Sequence, residues 1–316
     1  MKSPENRDAV IKAKILRTLH GKAEPVAEDL ICRNLQISTE AVRDHLRDLE
    51  KLGYLLKTDQ ELLQLRHEPD TPFPWKFPGR ESCIHYFREL TSTMDTAREL
   101  AAGGCPDFTI VIAESQQRGR GRLQRTWHSD SGGLYFTIVL RPDLPPEKAF
   151  SVNFAASLSL ARILQEQYHV DAKVKWPNDI LIDGRKVSGM LSEMGVESGR
   201  LTYVNIGIGI NVNNDPVPKE PNAVSLQTML GSMVDRSRLL SSFLDELQQT
   251  LLPLAPEEII SRWKQYTMTI GRRVTIMTTK DSYEGMALDV AADGALILEK
   301  DDGTRIEVIY GDCFHC

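Results

Sequence analysis

The stretch from residue 116 to residue 142, QQRGRGRLQRTWHSDSGGLYFTIVLRP, constrains the fold of this chain more than any other. Four arginines lie within eight residues, with no acidic residue among them: Arg118, Arg120, Arg122 and Arg125. The intervening glycines allow a ligand to approach the backbone closely, and arginine offers a planar set of donors that matches phosphate or carboxylate. Behind them, the alternating run from Leu134 to Leu140 predicts a β-strand. The pattern predicts an anion-binding loop on a rigid strand, although a solvent-exposed basic loop or a nucleic-acid patch has a similar composition.

A second stretch, residues 175 to 194 (KWPNDILIDGRKVSGMLSEM), carries a lysine on a predicted hairpin. Asp183 and Gly184 form a typical two-residue turn. The strand that returns from this turn should bring Lys186 back towards Asn178 and Asp179. Taken alone, the pattern favours a solvent-exposed hairpin lysine.

Together the two stretches resemble the biotin–protein ligases, whose sequences share five short blocks in a fixed order. The blocks in this chain are GRGR at residues 119–122, R-x-W at 125–127, GGLY at 132–135, KWPND at 175–179 and K-x-x-G-M-L at 186–191. The last block differs from the family pattern only by Met190 in place of isoleucine. The resemblance extends from residue 82 to the C-terminus. The part before it resembles the winged helix of the branch that combines ligase and repressor activities.

The resemblance implies a two-step reaction that uses ATP and Mg²⁺. The carboxylate of biotin attacks the α-phosphate of ATP, giving biotinyl-5′-adenylate and pyrophosphate. A lysine of a biotin carboxyl carrier protein then attacks this mixed anhydride. Neither step needs a protein nucleophile, but both need negative charge to be neutralised and the reactants to be aligned. The resemblance also implies that the adenylate acts as a corepressor, by promoting a homodimer that binds operator DNA.

The matched blocks assign roles to individual residues. The expected catalytic residues are Arg120, Arg122 and Lys186, with Lys186 between the carboxylate of biotin and the α-phosphate. The residues expected to bind biotin are Ser92, Thr93, Met94, Gln116, Gly119, Arg120, Gly121, Arg122 and Lys186. Those expected to bind the nucleotide are Arg125, Trp127, Asn178, Asp179 and Asn211, with Trp127 stacked on adenine and Asp179 as the candidate Mg²⁺ ligand. Met94 replaces a family asparagine, so that contact would differ here.

Composition limits the remaining possibilities. With 316 residues, 41% of them hydrophobic and 26% charged, the chain is expected to be a soluble protein of two or three domains. A net charge of −6 excludes a generally basic nucleic-acid coat, so any DNA contact must be local. Five scattered cysteines predict reduced thiols and a cytoplasmic location. The pair Cys313 and Cys316 lacks a second ligand pair, which disfavours a metal site. No signal peptide or membrane-spanning run is evident.

The N-terminal 66 residues predict a winged helix-turn-helix. Three short apolar-periodic segments are followed by two short strands, and Ser38 can cap the third helix. The apolar positions of that helix turn Thr39, Arg43 and Arg47 outward, as candidate DNA-reading residues. A small helical dimerisation module would share this pattern.

The sequence predicts an α+β protein with four segments. The winged helix-turn-helix (1–66) would be followed by a proline-rich, semi-rigid linker (67–80). A mixed α/β ligase domain (81–269), resembling the class II synthetase-like biotin ligases, would follow, with Phe150–Tyr168 as a long amphipathic helix. Four short strands after residue 270 suggest a small SH3-like β-barrel (270–316).

Two other functions are compatible with the sequence. Lipoate ligases also form an acyl-adenylate on a similar fold, but the R-x-W, GGLY and KWPND blocks favour biotin. A DNA-binding regulator could use a ligase-like part only to sense a ligand. Lys186 and the three family arginines favour an active enzyme, because a sensor could lose them.

Overall fold

Apolar residues at helical spacing, followed by two short strands, build the N-terminal part of the chain. The chain divides into two units, Met1–Ile84 and His85–Cys316. The computed structural model describes residues 4–22, 24–252 and 255–315. The elements of the first unit are α1 (Pro4–Leu19), β1 (Val26–Ala27), α2 (Glu28–Leu35), α3 (Thr39–Lys51), β2 (Leu55–Asp59) and β3 (Leu62–His67). The strands form a small sheet in the order β1-β3-β2.

Helix α3 begins where its sequence predicts. The Ser38 hydroxyl accepts a hydrogen bond from the Ala41 amide at 3.2 Å, which satisfies one of the free donors of the first turn. Val42, Leu46 and Leu49 are buried, so the predicted apolar stripe of this helix is confirmed.

The proline-rich segment packs within the first unit. Phe73 and Phe77 are buried, and the Trp75 ring stacks on Phe73 with 4.6 Å between ring centroids. The Trp75 indole N–H also donates to the Tyr54 hydroxyl at 2.9 Å. Proline does exclude long helices and central strands here, since only a short 3-10 turn forms at Pro74–Lys76. The interspersed aromatic residues nevertheless anchor the segment.

The second unit contains a seven-stranded sheet in the order β4-β5-β6-β10-β9-β8-β7. Its strands are β4 (Ile84–Leu90), β5 (Thr109–Gln116), β6 (Leu134–Leu140), β7 (Ala172–Lys175), β8 (Asp179–Ile182), β9 (Arg185–Glu197) and β10 (Arg200–Ile210). Its helices are α4 (Thr93–Ala102), α5 (Phe150–Tyr168), α6 (Leu226–Leu230), α7 (Arg236–Leu251) and α8 (Pro256–Trp263). The α+β class is confirmed.

Side chains of β6 show that helices cover both faces of this sheet. Thr137 donates a hydrogen bond to Thr93 of α4 at 2.9 Å. The adjacent Phe136 points to the opposite face and contacts Phe243 of α7 edge-on, with 5.6 Å between centroids. Every residue of β6 is therefore buried, despite the alternation in its sequence.

Helix α5 has the predicted bounds, but the prediction that it is amphipathic is wrong. Nearly every residue from Ser151 to Leu164 is buried, because α5 packs against the sheet and against both α7 and α8. Its polar side chains are satisfied internally. Ser157 accepts a hydrogen bond from the Trp263 indole at 3.0 Å, and Ser159 donates to Thr250 at 3.2 Å.

The C-terminal part of the second unit is a five-stranded antiparallel sheet in the order β14-β13-β12-β11-β15. Its strands are β11 (Arg273–Met277), β12 (Ser282–Val290), β13 (Leu296–Glu299), β14 (Arg305–Val308) and β15 (Asp312–His315). The first four match the predicted strands, whereas β15 was not predicted. Within the described residues β14 does not pair with β15, so the sheet is not closed and the barrel stays a prediction. Cys316, one half of the terminal cysteine pair, lies outside the described residues.

Across the described ranges, none of the helices has the length and hydrophobicity needed to span a membrane.

We expect Asn205→Val to stabilise the protein. Asn205 on β10 is fully buried, and within the described part of the chain neither side-chain amide atom has a hydrogen-bond partner. Removing an unsatisfied buried amide should raise the free energy of unfolding by about 1–2 kcal/mol, and valine suits a strand. Urea unfolding would measure the change. The matched control Thr137→Val removes a satisfied hydroxyl and should destabilise; destabilisation by Asn205→Val would contradict the prediction.

Candidate active site

One cavity of the second unit brings together thirteen of the fourteen residues predicted to bind biotin or the nucleotide. The walls come from the start of α4, the arginine loop, strands β8 to β10 and the C-terminal strand β15. Gly119 is the predicted residue that does not line it. A side chain at Gly119 would overlap the Trp127 carbonyl, so this glycine serves the packing of the loop.

Hydroxyl and amide groups form one end of the cavity. Ser92 caps α4, and its hydroxyl accepts from the Met94 amide at 3.3 Å. Gln116, at the end of β5, accepts from the backbone and the hydroxyl of Thr93 at 2.8 and 3.1 Å. Its amide nitrogen donates to the Ser129 hydroxyl at 2.8 Å. These mutual bonds fix the orientation of uncharged donors and acceptors in a buried place.

The indole ring of Trp127 lies against glycines of two neighbouring strands. Gly209 of β10 and Gly189 of β9 are register partners, and a side chain at Gly209 would overlap the ring. The flat group that lies against Gly209 is therefore a side chain of the protein itself. Gly207, two residues earlier, is covered in the same way by Met94. The glycines therefore seat the side chains that line the cavity.

Arg122 is the most buried cation of the arginine loop. Its guanidinium donates to the Asn178 side-chain oxygen at 2.9 Å and to the Gly311 carbonyl at 2.8 Å. Burial lowers the pKa of Arg122, partly opposed by Asp312 and Asp179, although arginine stays protonated at any physiological pH. Because its two hydrogen-bond partners are neutral, much of its charge remains available to an anion. Arg125 is more exposed and pairs with Asp312 of β15 at 2.6 Å.

The predicted meeting of Lys186 with the turn before β8 is confirmed. Its ammonium lies 2.8 Å from the Asp179 carboxylate, across the hairpin of β8 and β9. It also lies 5.4 Å from the centroid of the Trp127 ring. Both charged side chains are about one-third exposed or less, so the pair faces the cavity without being sealed from it.

Arg120 points away from its neighbour Arg122, towards two carboxylates. It donates to Asp95 of α4 at 3.2 Å and also forms an ion pair with Glu193 of β9. The two arginines of the GRGR block therefore have different electrostatic surroundings, a difference that their sequence does not indicate.

The asparagines take part in the framework of the cavity. Asn178 donates to the Met190 carbonyl and accepts from Arg122. Asn211, which follows β10, accepts from the Asn214 side chain at 3.0 Å. The C-terminal strand supplies residues that sequence reasoning missed, chiefly Asp312 and Phe314. No motif in the segment GDCFHC marks them, and only the fold brings them to the arginine loop.

The candidate DNA-reading residues lie on the exposed side of α3. Thr39, Arg43 and Arg47 are all exposed, which confirms their predicted orientation. Arg43 makes a bidentate pair with the buried Glu28, with both distances 2.9 Å. This pairing raises the pKa of Arg43. Arg47 pairs with Asp44 on the same helix. Arg43 is thus also a structural residue, because it neutralises a buried carboxylate.

Comparison with known proteins relates both parts of the second unit to ligases. Residues 86–211 match the biotin/lipoate A/B protein ligase family, and residues 269–316 match the biotin protein ligase C-terminal domain. Among solved structures, a biotin protein ligase from Aquifex aeolicus in complex with biotin and ATP has a TM-score of 0.62 and 25% identity. That match covers 74% of this chain and 98% of the other. The class II synthetase-like ligase fold expected from the sequence is thereby confirmed.

Two curated relatives carry ligase/repressor names, and the longer of the two matches extends beyond the second unit. The bifunctional ligase/repressor BirA of Bacillus subtilis is 33% identical over 290 residues, covering 86% of this chain and 88% of the relative. BirA of Escherichia coli is 30% identical over 215 residues, covering 66% and 65% of the two chains. Given this identity over most of both chains, the matched family models and the shared fold, the chain belongs to the biotin–protein ligase family.

Proposed function

We propose that the protein activates biotin with ATP to biotinyl-5′-adenylate and transfers biotin to a lysine of a carrier protein. The observation that carries this proposal is the cavity itself. It joins a buried array of neutral hydrogen-bonding groups to a wall that contains Arg122, Arg125 and Lys186. The reaction brings together two ligands: an uncharged polar ring that carries a carboxylate, and a nucleoside triphosphate. These two ligands need the two kinds of wall side by side.

The neutral end suits the ring of biotin. Ser92, Thr93 and Gln116 offer both donors and acceptors, already oriented by their mutual hydrogen bonds. Such an array recognises a cyclic urea, which carries N–H donors beside a carbonyl acceptor. Met94 and Trp127 add apolar surface for the rest of the molecule. We assign biotin to this end of the cavity.

The cationic end suits the reacting groups. As the carboxylate attacks the α-phosphorus, negative charge spreads over the phosphate oxygens and the departing pyrophosphate. Lys186, fixed by β9 and by Asp179, can neutralise both the carboxylate and the α-phosphate. Arg122 lies beside it, attached to Asn178 next to Asp179. We therefore assign charge neutralisation in the first step to Lys186 and Arg122, and the nucleotide to Arg125, Trp127 and Asn211.

The residues present fit a Mg²⁺ ion that is held mainly by the nucleotide. The described residues contain no group of three or more histidine, cysteine or acidic side chains able to form a protein cage. Protein-bound Mg²⁺ at nucleotide sites usually uses one or two carboxylates together with phosphates and waters. Asp179 lines the cavity and can supply such a carboxylate. The ion would screen the phosphates and favour departure of pyrophosphate.

The first unit supports a regulatory role in addition. We propose that residues 1–66 form a winged helix-turn-helix, that α3 reads operator DNA, and that the adenylate promotes a homodimer on a two-fold site. Support comes from the exposed Thr39, Arg43 and Arg47, and from the ligase/repressor names of the relatives. We also propose that residues 81–269 are the catalytic domain and residues 270–316 an SH3-like tail.

Lys186→Ala should reduce adenylate formation by about a hundredfold, since removing one charge-stabilising contact to the transition state costs on the order of 3 kcal/mol. Biotin-dependent exchange of pyrophosphate into ATP would measure the rate. Lys173→Ala is the matched control, because Lys173 has similar exposure and pairs with Asp171 at 2.9 Å, yet does not line the cavity. Full activity of the Lys186→Ala variant would refute the assignment.

The intact protein, given ATP, Mg²⁺, biotin and a biotin carboxyl carrier domain, should add one biotinyl group to the carrier. Mass spectrometry of the carrier would show the increase and locate it on a lysine. Lipoate in place of biotin, or omission of ATP, should give no increase. Transfer of lipoate but not of biotin would instead indicate a lipoate ligase.

Biotin and ATP together should tighten the binding of this protein to the promoter of the biotin genes in its own organism. Arg47→Ala should then weaken binding by about tenfold or more, as expected for the loss of one good base contact. Arg33→Ala on α2, an exposed arginine paired with Asp29, is the control. Arg43→Ala is a poorer probe because it leaves Glu28 buried without its partner. Absence of promoter binding in a gel-shift titration with the adenylate present would remove the repressor role alone.

A further inference from the structure

Arg120 joins two elements that lie on either side of the biotin end of the cavity. One guanidinium nitrogen donates to Asp95, in the first turn of α4, at 3.2 Å. The other pairs with Glu193, near the outer end of β9. A single loop side chain thus connects the helix that carries Ser92 and Thr93 with the strand that carries Lys186.

The two carboxylates are also held together by a second arginine. Arg98, one turn along α4, lies 2.6 Å from Asp95 and 3.6 Å from Glu193. We call these four side chains, Asp95, Arg98, Arg120 and Glu193, the arginine clasp. Its two positive and two negative charges balance. Because Arg98 and both acids belong to α4 and β9, three of the four members are in place whatever the position of the arginine loop.

The loop that brings Arg120 into the clasp is a compact hairpin. The Trp127 amide donates to the Gly119 carbonyl at 2.9 Å, and the Gly121 amide to the Arg125 carbonyl at 2.8 Å. These bonds tie the position of Arg120 to that of Trp127, which lies over the cavity floor. Holding Arg120 therefore holds the whole hairpin, including Trp127.

The electrostatic surroundings distinguish Arg120 from a phosphate-binding residue. Arg120 has two carboxylate partners, so an anion would have to displace both of them. Arg122, two residues later, has two neutral hydrogen-bond partners. The geometry favours a mechanical role for Arg120 and a role in charge neutralisation for Arg122.

We propose that Asp95 and Glu193 are positioning residues: through Arg120 they keep the hairpin closed on the biotin end and so set how long the acyl-adenylate stays bound before transfer. This inference rests on the proposed ligase function. The adenylate is a mixed anhydride that water can hydrolyse after release. A closed hairpin retains it until a carrier lysine arrives.

The test measures release of adenylate from the intact protein. The protein is loaded with labelled biotin and ATP, and an excess of unlabelled biotin is added without carrier. Because each partly exposed ion pair contributes up to about fivefold, release from the Asp95→Asn/Glu193→Gln variant should be roughly five- to tenfold faster. Glu197→Gln, an exposed change further along β9, should release like the wild type.

Salt provides a readout that a general loss of structure would not give. Screening weakens partly exposed ion pairs, so higher ionic strength should accelerate release from the wild type. Release from the Asp95→Asn/Glu193→Gln variant should depend less steeply on salt, because only the contacts between the adenylate and the other cations then remain to be screened. Arg120→Gln removes the opposite partner and should give the same acceleration. Combined with the double substitution it should add nothing further, because all three changes break one interaction.

Release at the wild-type rate from the Asp95→Asn/Glu193→Gln variant, or full additivity with Arg120→Gln, would overturn the clasp. If the double variant fails to fold, the release rate of Arg120→Gln and its smaller salt response relative to the wild type still decide the matter. A wild-type protein that forms no labelled adenylate would instead overturn the proposed ligase function. That result is recognised before any variant is compared.

Discussion

The contact between the Trp127 ring and the paired glycines of β9 and β10 supports much of the site. Gly189 and Gly209 leave a shallow seat on the sheet, and the indole occupies it. A loop rich in glycine and arginine has little hydrophobic surface of its own with which to order itself. The seat supplies that surface, because Trp127 ends the short hairpin that begins at Gly119. The arginines are thereby held against a sheet that its hydrogen bonds make rigid.

Electrostatic compensation is the second organising feature of the cavity. Lys186 faces Asp179 and Arg125 faces Asp312, so two of the three cations in the wall are already neutralised, and Arg122 alone has neutral hydrogen-bond partners among the three. An incoming anion must therefore exchange partners with carboxylates instead of meeting bare charge. Such a site discriminates against simple inorganic anions and favours a polyanion that contacts several cations at once. A triphosphate meets that requirement.

The sequence predicted those parts of the structure that depend on local pattern. β6 and α5 have the predicted bounds, and Lys186 meets Asp179 because a two-residue turn determines the register of the hairpin. Features that depend on distant partners were missed. Strand β15 is short and lacks alternation, and α5 is buried all round only because two later helices cover it. The burial of Asn205 and the different partners of Arg120 and Arg122 likewise depend on which elements meet in space.

The packing of the proline-rich segment has a consequence for how the polypeptide can be divided. Phe73 and Trp75 contact Tyr54, and Phe77 is buried after them, so the N-terminal unit does not finish at its last strand. A fragment cut after residue 67 would leave Tyr54 without its indole partner and expose apolar surface. The boundary between the two units lies beyond residue 80, close to the start of β4. If the N-terminal unit were exchanged between ligases, the transferred segment would therefore have to include the aromatic residues of the proline-rich segment as well as the helices.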